Sequence, residues 1–325
     1  SLAAVVPPSR NMAACRARGS VDATVDQVGP RVSRYRRCAR HFPMQAHRRS
    51  VGRSAQRRYR AARSLPHWLT DETVQMDVRG LMAQAATLNA QRTAVIHGDR
   101  QLTFAEAWTR GIRLANALLA LGLVPGDRIG VIEDNSIEAQ DLFAGATIAG
   151  LVRVPLYARN SAEAHIHMLD HTGCRAVIVA EHYAHEIEAI CAELPDVEHV
   201  IVRDSGYERW LGAHADADPN VLIDPDDWYI IRHTGGTTGK PKGVAYTHRS
   251  WLAAGRDWFY NFPPMIAGER CLHVGPISHG SGYLYTPTWL SGGANVLLDH
   301  FDPAETIEVM ERERISYMFA VPAML

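Results

Sequence analysis

From about Thr73 onward, short apolar runs alternate with longer segments whose apolar residues recur at helical spacing. The clearest predicted helix starts at Thr103-Phe104-Ala105-Glu106, a capping box in which the Thr hydroxyl and the Glu carboxylate accept hydrogen bonds from free backbone N–H groups. Gly122 predicts its end. The apolar residues of this helix predict one buried face, made of Phe104, Ala107, Trp108, Ile112, Ala115, Leu118 and Leu119.

The same alternation predicts further strands and helices in turn. Predicted strands cover residues 94–96, 128–132, 152–156, 176–179, 197–202, 228–232 and 244–247. Predicted helices cover residues 138–149, 161–171 and 182–194, and another begins at Asp302-Pro303-Ala304-Glu305. Residues 204–226 are polar and are predicted to be a connection. Strands separated by helices of this length are typical of βαβ units, so the predicted fold class is α/β with layered, mostly parallel sheets.

Charge divides the chain into two parts. Residues 1–70 contain 15 Arg, no Lys and two acidic residues, without helical or strand periodicity. Such a composition predicts a disordered leader, which we assign to residues 1–72, followed by a globular body at 73–325. Clustered Arg can bind nucleic acid or anionic lipid. Because blocks of like charge more often form solvated extensions, we expect no nucleic-acid or membrane contact from the leader.

The remaining composition narrows the class of protein further. The chain is 46% hydrophobic and 21% charged, as in globular proteins, and lacks the run of about 20 apolar residues that a membrane span needs. No signal-peptide pattern is present, so we expect a cytoplasmic protein. The five Cys include no C-x-x-C pair, which argues against a disulfide framework or zinc knuckle. His167 with His171, and His182 with His185, have metal-compatible spacing but no evident third ligand, so we expect no metal there.

Residues 233–244 carry the most informative sequence, His-Thr-Gly-Gly-Thr-Thr-Gly-Lys-Pro-Lys-Gly-Val, between two predicted strands. Glycines let backbone N–H groups approach an anion, Thr hydroxyls bind phosphate or metal, and Lys supplies positive charge. Lys240 and Lys242 are the only lysines in the chain. The loop fits neither the Walker pattern nor the dinucleotide fingerprint, which indicates a nucleotide loop of another kind.

Thr234 through Val244 resembles the signature loop of the adenylate-forming superfamily, which includes acyl-CoA synthetases, nonribosomal-peptide adenylation domains and luciferases. Gly235 is the one departure, because the family usually has Ser or Thr there. The loss of one hydroxyl donor leaves the backbone cradle intact. Other segments follow the family's order: Thr103 to Glu106, Gly122 to Val131, Asn135, Gly150 to Pro155, Thr247-His248, Gly292-Gly293 and Val321 to Met324.

The resemblance implies the large N-terminal domain of an adenylate-forming enzyme and a two-step reaction. A carboxylic acid reacts with ATP to give acyl-AMP and pyrophosphate, and a thiol, that of coenzyme A, then displaces AMP. Mg²⁺ assists the first step. Lys240 occupies a variable position and is expected to be solvated. By the resemblance, the ATP phosphates contact Thr234, Gly235, Gly236, Thr237, Thr238, Gly239 and Lys242, with Thr237 also the metal contact.

A second motif, residues 275–280, resembles the family's segment that borders the acyl pocket and the nucleotide. The resemblance implies that His279 and Gly280 contact the substrate; a hydrogen-bonded structural role for His279 is the alternative. Tyr283, Leu284 and Tyr285 follow directly and are expected to add bulk near the acyl site.

The family's catalytic Lys and Glu, its hinge and its small C-terminal domain are expected beyond Leu325, so we expect this chain alone to be inactive. The whole protein most resembles bacterial fatty-acid CoA ligases. Three alternatives stay open: an aromatic-acid CoA ligase, an acyl-AMP ligase that loads a carrier protein, and a truncated relative that binds nucleotide or acid without turnover. Chain length of the acid and oligomeric state, including a homodimer, are also open.

Overall fold

The computed structural model describes residues 4–5, 30–34, 76–234 and 240–324. Its strands are β1 (Ala4–Val5), β2 (Val32–Arg34), β3 (Thr93–His97), β4 (Arg100–Thr103), β5 (Arg128–Ile132), β6 (Val152–Pro155), β7 (Cys174–Ala180), β8 (His199–Arg203), β9 (Trp228–His233), β10 (Gly243–Thr247), β11 (Arg270–His273), β12 (Ala294–Leu297) and β13 (Tyr317–Met318). Its helices are α1 (Val78–Leu88), α2 (Phe104–Ala120), α3 (Asp141–Ile148), α4 (Ala162–Thr172), α5 (Glu181–Cys191), α6 (Tyr207–Gly212), α7 (His248–Asn261), α8 (Gly282–Leu290) and α9 (Pro303–Arg312). A 3₁₀ turn follows at Pro322–Met324.

The strands form two sheets. The larger has eight strands in the order β1-β10-β9-β6-β5-β7-β8-β2, and its central strands from β9 to β8 are parallel. The smaller has five strands in the order β13-β11-β12-β3-β4, with β4 antiparallel to β3 and the other pairs parallel. Two parallel-rich sheets with connecting helices confirm the predicted α/β class.

Two short segments of the Arg-rich leader differ from the expected disorder. β1 pairs antiparallel with β10 and β2 pairs antiparallel with β8, so each extends one edge of the eight-stranded sheet. An edge strand offers unpaired backbone groups to any extended segment, and side-chain periodicity is not needed for such pairing. The rest of the predicted leader, apart from Pro30 and Arg31, lies outside the described residues until Met76.

Some elements were missed or misplaced by the sequence pattern. The predicted connection 204–226 contains α6, whose Tyr207 and Leu211 are buried. Six residues are too few to establish a helical period. The helix predicted from residue 138 begins at Asp141, because residues 137–140 form turns. The capping box is confirmed: Glu106 N donates to Thr103 Oγ1, and Thr103 N donates to Glu106 Oε2.

Helices α2 and α3 pack closely against each other. At the crossing of α2 and α3, a Cβ on Gly111 would lie 2.4 Å from Ala144 Cβ, so this crossing requires glycine.

Cys174, Cys191 and Cys271 are buried free thiols. No helix within the described ranges is long and apolar enough to cross a membrane.

Candidate functional site

The base of the Gly-rich loop is closed by backbone pairing. Strands β9 and β10 are antiparallel, with Gly243 opposite His233. Beyond them, Thr234 N donates to Lys242 O at 3.0 Å, and Lys242 N donates to Thr234 Oγ1 at 3.4 Å. The side chain of Lys242 is exposed. Outside the described residues lie the predicted phosphate contacts Gly235, Gly236, Thr237, Thr238 and Gly239, and with them the predicted Mg²⁺ contact at Thr237.

Histidines of α4 support this base. His167 Nε2 donates to Pro241 O at 3.0 Å, and the His167 and His171 rings stack with centroids 5.5 Å apart. Burial, together with these two rings, lowers the pKa of neighbouring His233 to about 4. His167 and His171, whose i, i+4 spacing is compatible with metal binding, therefore have their imidazole rings against the base of the loop. In the described part of the chain, no group of three or more His, Cys, Asp or Glu could hold a metal ion.

A cavity of about 780 Å³, which we call the loop cavity, lies where strands of both sheets end. Thr234 follows β9, Tyr157 follows β6, His279 follows β11 and Phe319 follows β13. The carboxyl ends of parallel strands are where α/β folds bind ligands. The structure thus brings the predicted phosphate contact Thr234 and the predicted substrate contacts His279 and Gly280 to one cavity.

His279 and Gly280 have distinct surroundings in the loop cavity. The His279 ring centroid lies 5.6 Å from that of Tyr157, and burial, followed by the nearby Arg232 charge, lowers the pKa of His279. A Cβ on Gly280 would approach Phe319 Cε1 to 3.2 Å, so a larger residue there would require the Phe319 ring to shift slightly. The imidazole ring itself has no hydrogen bond among the described residues, which leaves it available to a ligand.

A second, apolar cavity of about 470 Å³ lies between α7 and α8. We call it the apolar cavity; its walls include Met76, Trp251, Leu252, Phe259, Tyr283 and Leu290. Of the three bulky residues predicted near the acyl site, Tyr283 lines this cavity. Leu284 and Tyr285 are instead buried, with the Tyr285 ring 4.1 Å from that of Phe143. The α8 helix turns successive side chains to different sides, so only part of an unbroken apolar run reaches the cavity.

Arg232 connects the two cavities. It lines the loop cavity from β9, and its Nη2 donates to His279 O. Its guanidinium carbon lies 4.1 Å from the centroid of the Tyr283 ring, which stacks on Trp251 at 5.5 Å. Because Tyr283 and Trp251 line the apolar cavity, the two cavities share a wall at this contact. Arg232 is a site residue that the sequence pattern did not predict; the available signal was a charge near the end of a buried strand, directly before the Gly-rich loop.

Comparison with known proteins identifies the family of this chain. The family of AMP-binding enzymes matches residues 82–325, and the chain belongs to this family. It is 32% identical over 243 residues to a feruloyl-CoA synthase of Amycolatopsis sp, covering 74% of this chain and 47% of that protein. It is 32% identical over 252 residues to the long-chain-fatty-acid–CoA ligase FadD13 of Mycobacterium tuberculosis, covering 75% and 50%.

The solved structures agree in fold. The inhibitor-bound N-terminal domain of FACL13 from Mycobacterium tuberculosis superposes with a TM-score of 0.72 at 31% identity, covering 76% of this chain and 63% of that one. The resemblance to adenylate-forming enzymes and the fold class are thereby confirmed. The chain spans about half the length of the curated relatives it matches.

Proposed function

We propose that the protein containing this chain activates a carboxylic acid with ATP and transfers the acyl group to coenzyme A. A carboxylate oxygen attacks the α-phosphorus of ATP, and pyrophosphate leaves. The thiol then attacks the acyl carbon, and AMP leaves. The observation that carries the proposal is that the apolar cavity and the loop cavity share a wall at Arg232 and Tyr283. The base of the Gly-rich loop lines the loop cavity.

We assign the ATP phosphates to residues 234–239 and Lys242, and Mg²⁺ to Thr237. The Thr234–Lys242 backbone pair supports the assignment, since it holds the two ends of the loop together. Catalysis of phosphoryl chemistry of this kind is mainly positioning and charge neutralisation, which backbone N–H groups and a lysine supply.

A fatty acid is the substrate that the apolar cavity supports best. Its walls are mainly aliphatic and aromatic, and a volume of about 470 Å³ is within the usual range for ligand sites. Each methylene buried there contributes about 0.8 kcal/mol. The family's long-chain members, such as the FadD13 relative, support the same choice.

A hydroxylated aromatic acid is the second candidate. Thr286 lines the apolar cavity, and its buried hydroxyl has no hydrogen-bond partner among the described residues. A ring hydroxyl would satisfy it, whereas an alkyl chain would not. The feruloyl-CoA synthase relative adds to this possibility.

An acid panel in the whole protein tests these proposals. We would measure ATP–pyrophosphate exchange and CoA thioester formation with octanoate to hexadecanoate, ferulate and 4-hydroxybenzoate, for wild type and Thr286→Val. We expect the highest kcat/KM with a fatty acid and no loss in the variant. Highest activity with ferulate, lost in Thr286→Val, would favour the aromatic acid. Substitution of an acyl carrier protein for CoA tests the acceptor. Binding of ATP and acid without exchange would refute the enzymatic proposal.

A further inference from the structure

The Arg232 guanidinium is partly enclosed without a neutralising acid. It donates to one backbone carbonyl, that of His279, and stacks on Tyr283. No carboxylate of the described residues pairs with it, and burial lowers the pKa of Arg232, with further lowering by the nearby Arg153 charge. Enclosing a cation without an anion is costly unless a ligand supplies one. By contrast, Arg110 of α2 has both Asp141 and Glu208 as partners.

The position of Arg232 indicates what kind of anion it meets. Arg232 directly precedes the Gly-rich loop of residues 233–244, and it lines the loop cavity together with Thr234 and His279. On its other side, its guanidinium contacts Tyr283 in the wall of the apolar cavity. An acid whose tail lay in the apolar cavity would place its carboxylate near this contact, where the two cavities share a wall. A phosphate oxygen of ATP is the other oxyanion that could reach it.

We propose that Arg232 binds the carboxylate of the acid substrate and so makes the site select acids over neutral compounds of the same shape. The proposal rests on the proposed function. A guanidinium offers several N–H donors in a planar fork, and the bond to His279 O leaves others free. Stacking on Tyr283 fixes the plane of the fork, so the carboxylate is oriented before it reacts.

The test compares dodecanoate with dodecanamide, which has the same chain and no charge. Binding of each, and of ATP alone, is measured by calorimetry in the whole protein without the other substrate. We expect wild type to prefer the acid. Arg232→Met should lower affinity for dodecanoate about 10- to 100-fold, the range for losing a charged hydrogen bond, and change affinity for dodecanamide and ATP less than about twofold.

Two further variants keep the test decisive. Arg232→Lys retains the charge and should recover part of the preference for the acid, even if Arg232→Met folds poorly. Arg153→Met is the matched control, because Arg153 is a buried arginine that stacks on Phe143 and lies outside both cavities. Because its charge acts on Arg232 only at a distance, the ratio of acid to amide affinity should change less than about twofold, far less than in Arg232→Met.

The outcomes separate this proposal from the proposed function. Equal losses for dodecanoate and dodecanamide in both Arg232 variants would overturn it in favour of a packing role. A loss confined to ATP would assign the guanidinium to a phosphate and also overturn it. If the Arg232 variants keep exchange activity and an unchanged ratio of acid to amide affinity, the proposed function is supported and the proposed role of Arg232 is refuted. Arg232-dependent acid binding without any exchange would support this proposal and refute the enzymatic one.

Discussion

The side-chain amide of Asn135 donates to the backbone carbonyl of Leu298, 163 positions away, at 2.8 Å. Asn135 follows β5 of the eight-stranded sheet, and Leu298 follows β12 of the five-stranded sheet. The same amide nitrogen lies 3.0 Å from Gly275 O, and Ile277 N donates to its carbonyl oxygen at 2.8 Å. One buried side chain thus joins the ends of both sheets and holds the segment that leads to His279.

Replacement of Asn135 by Asp should destabilise the protein strongly. The carboxylate has nearly the same shape, but it cannot donate to backbone carbonyls and carries charge into a site that is 3% exposed. We expect the free energy of unfolding to fall by about 3 kcal/mol or more, measured by urea denaturation. Asn261→Asp makes the same chemical change at the exposed end of α7 and should cost under about 1 kcal/mol. Equal costs at both positions would contradict the joining role.

Gly282 should not tolerate even alanine. A Cβ there would lie 1.8 Å from Ile277 O, a backbone atom of the segment that carries His279. Either α8 or that segment must move, so we expect Gly282→Ala to lower the melting temperature markedly and weaken binding of any acid. Gly212→Ala, whose Cβ would meet no atom within 4 Å, should change the unfolding free energy by under about 1 kcal/mol. A folded, fully active Gly282→Ala protein would refute the packing argument.

The buried His273 should make stability sensitive to acid. Burial lowers the pKa of His273 to about 4 from an unfolded value near 6.5, and this effect outweighs the hydrogen bonds to Ser281 and Asn295, which raise the pKa. The unfolded state therefore binds the extra proton between these values, and this contribution to stability is full above pH 6.5 and is lost as the pH falls toward 4.

The slope of the unfolding free energy against pH reports how many more protons the unfolded state binds than the folded state. Each such histidine contributes up to about 1.4 kcal/mol per pH unit within the window. His273→Asn lowers stability overall, yet it should also reduce the slope by about one proton, as measured by urea denaturation from pH 7 to 4.5. His300→Asn changes an exposed histidine and is the control for the substitution itself. A slope unchanged in His273→Asn would show that another group takes up the proton.

Local sequence patterns predicted the elements better than they predicted the site. The capping box at Thr103 and the N-cap at Asp302 could be recognised because their partners are three residues away. Alternating strands and helices predicted parallel sheets for a similar reason, since the pattern is a property of neighbouring residues. Layered sheets were predicted, but which strands form the second sheet was not, because β3, β11 and β12 are brought together from distant parts of the chain.

The structural role of Asn135 and the presence of Arg232 at the site were not predicted, for the same reason. Asn135 acts through backbone groups more than 130 positions away, and no local pattern records such contacts. The role that we propose for Arg232 depends on Tyr283, which α8 places beside it. In sequence, Arg232 is only a charge at the end of a strand. The Gly-rich loop was recognised by its resemblance, which required no knowledge of what packs around it.

Lys242 should matter for activity, whereas Lys240 should not. These are the only two lysines of the chain and lie two positions apart, so each is the natural control for the other. If Lys242 neutralises ATP phosphates, Lys242→Ala in the whole protein should lower ATP–pyrophosphate exchange by roughly 100-fold, the size of effect seen when one preorganised hydrogen-bond donor is removed from an active site. Both side chains are exposed, so neither substitution should affect stability. Lys240→Ala should keep exchange within about twofold of wild type. Equal effects of the two changes would mean that the loop attracts ATP only by its overall charge, and the assignment of Lys242 would be wrong.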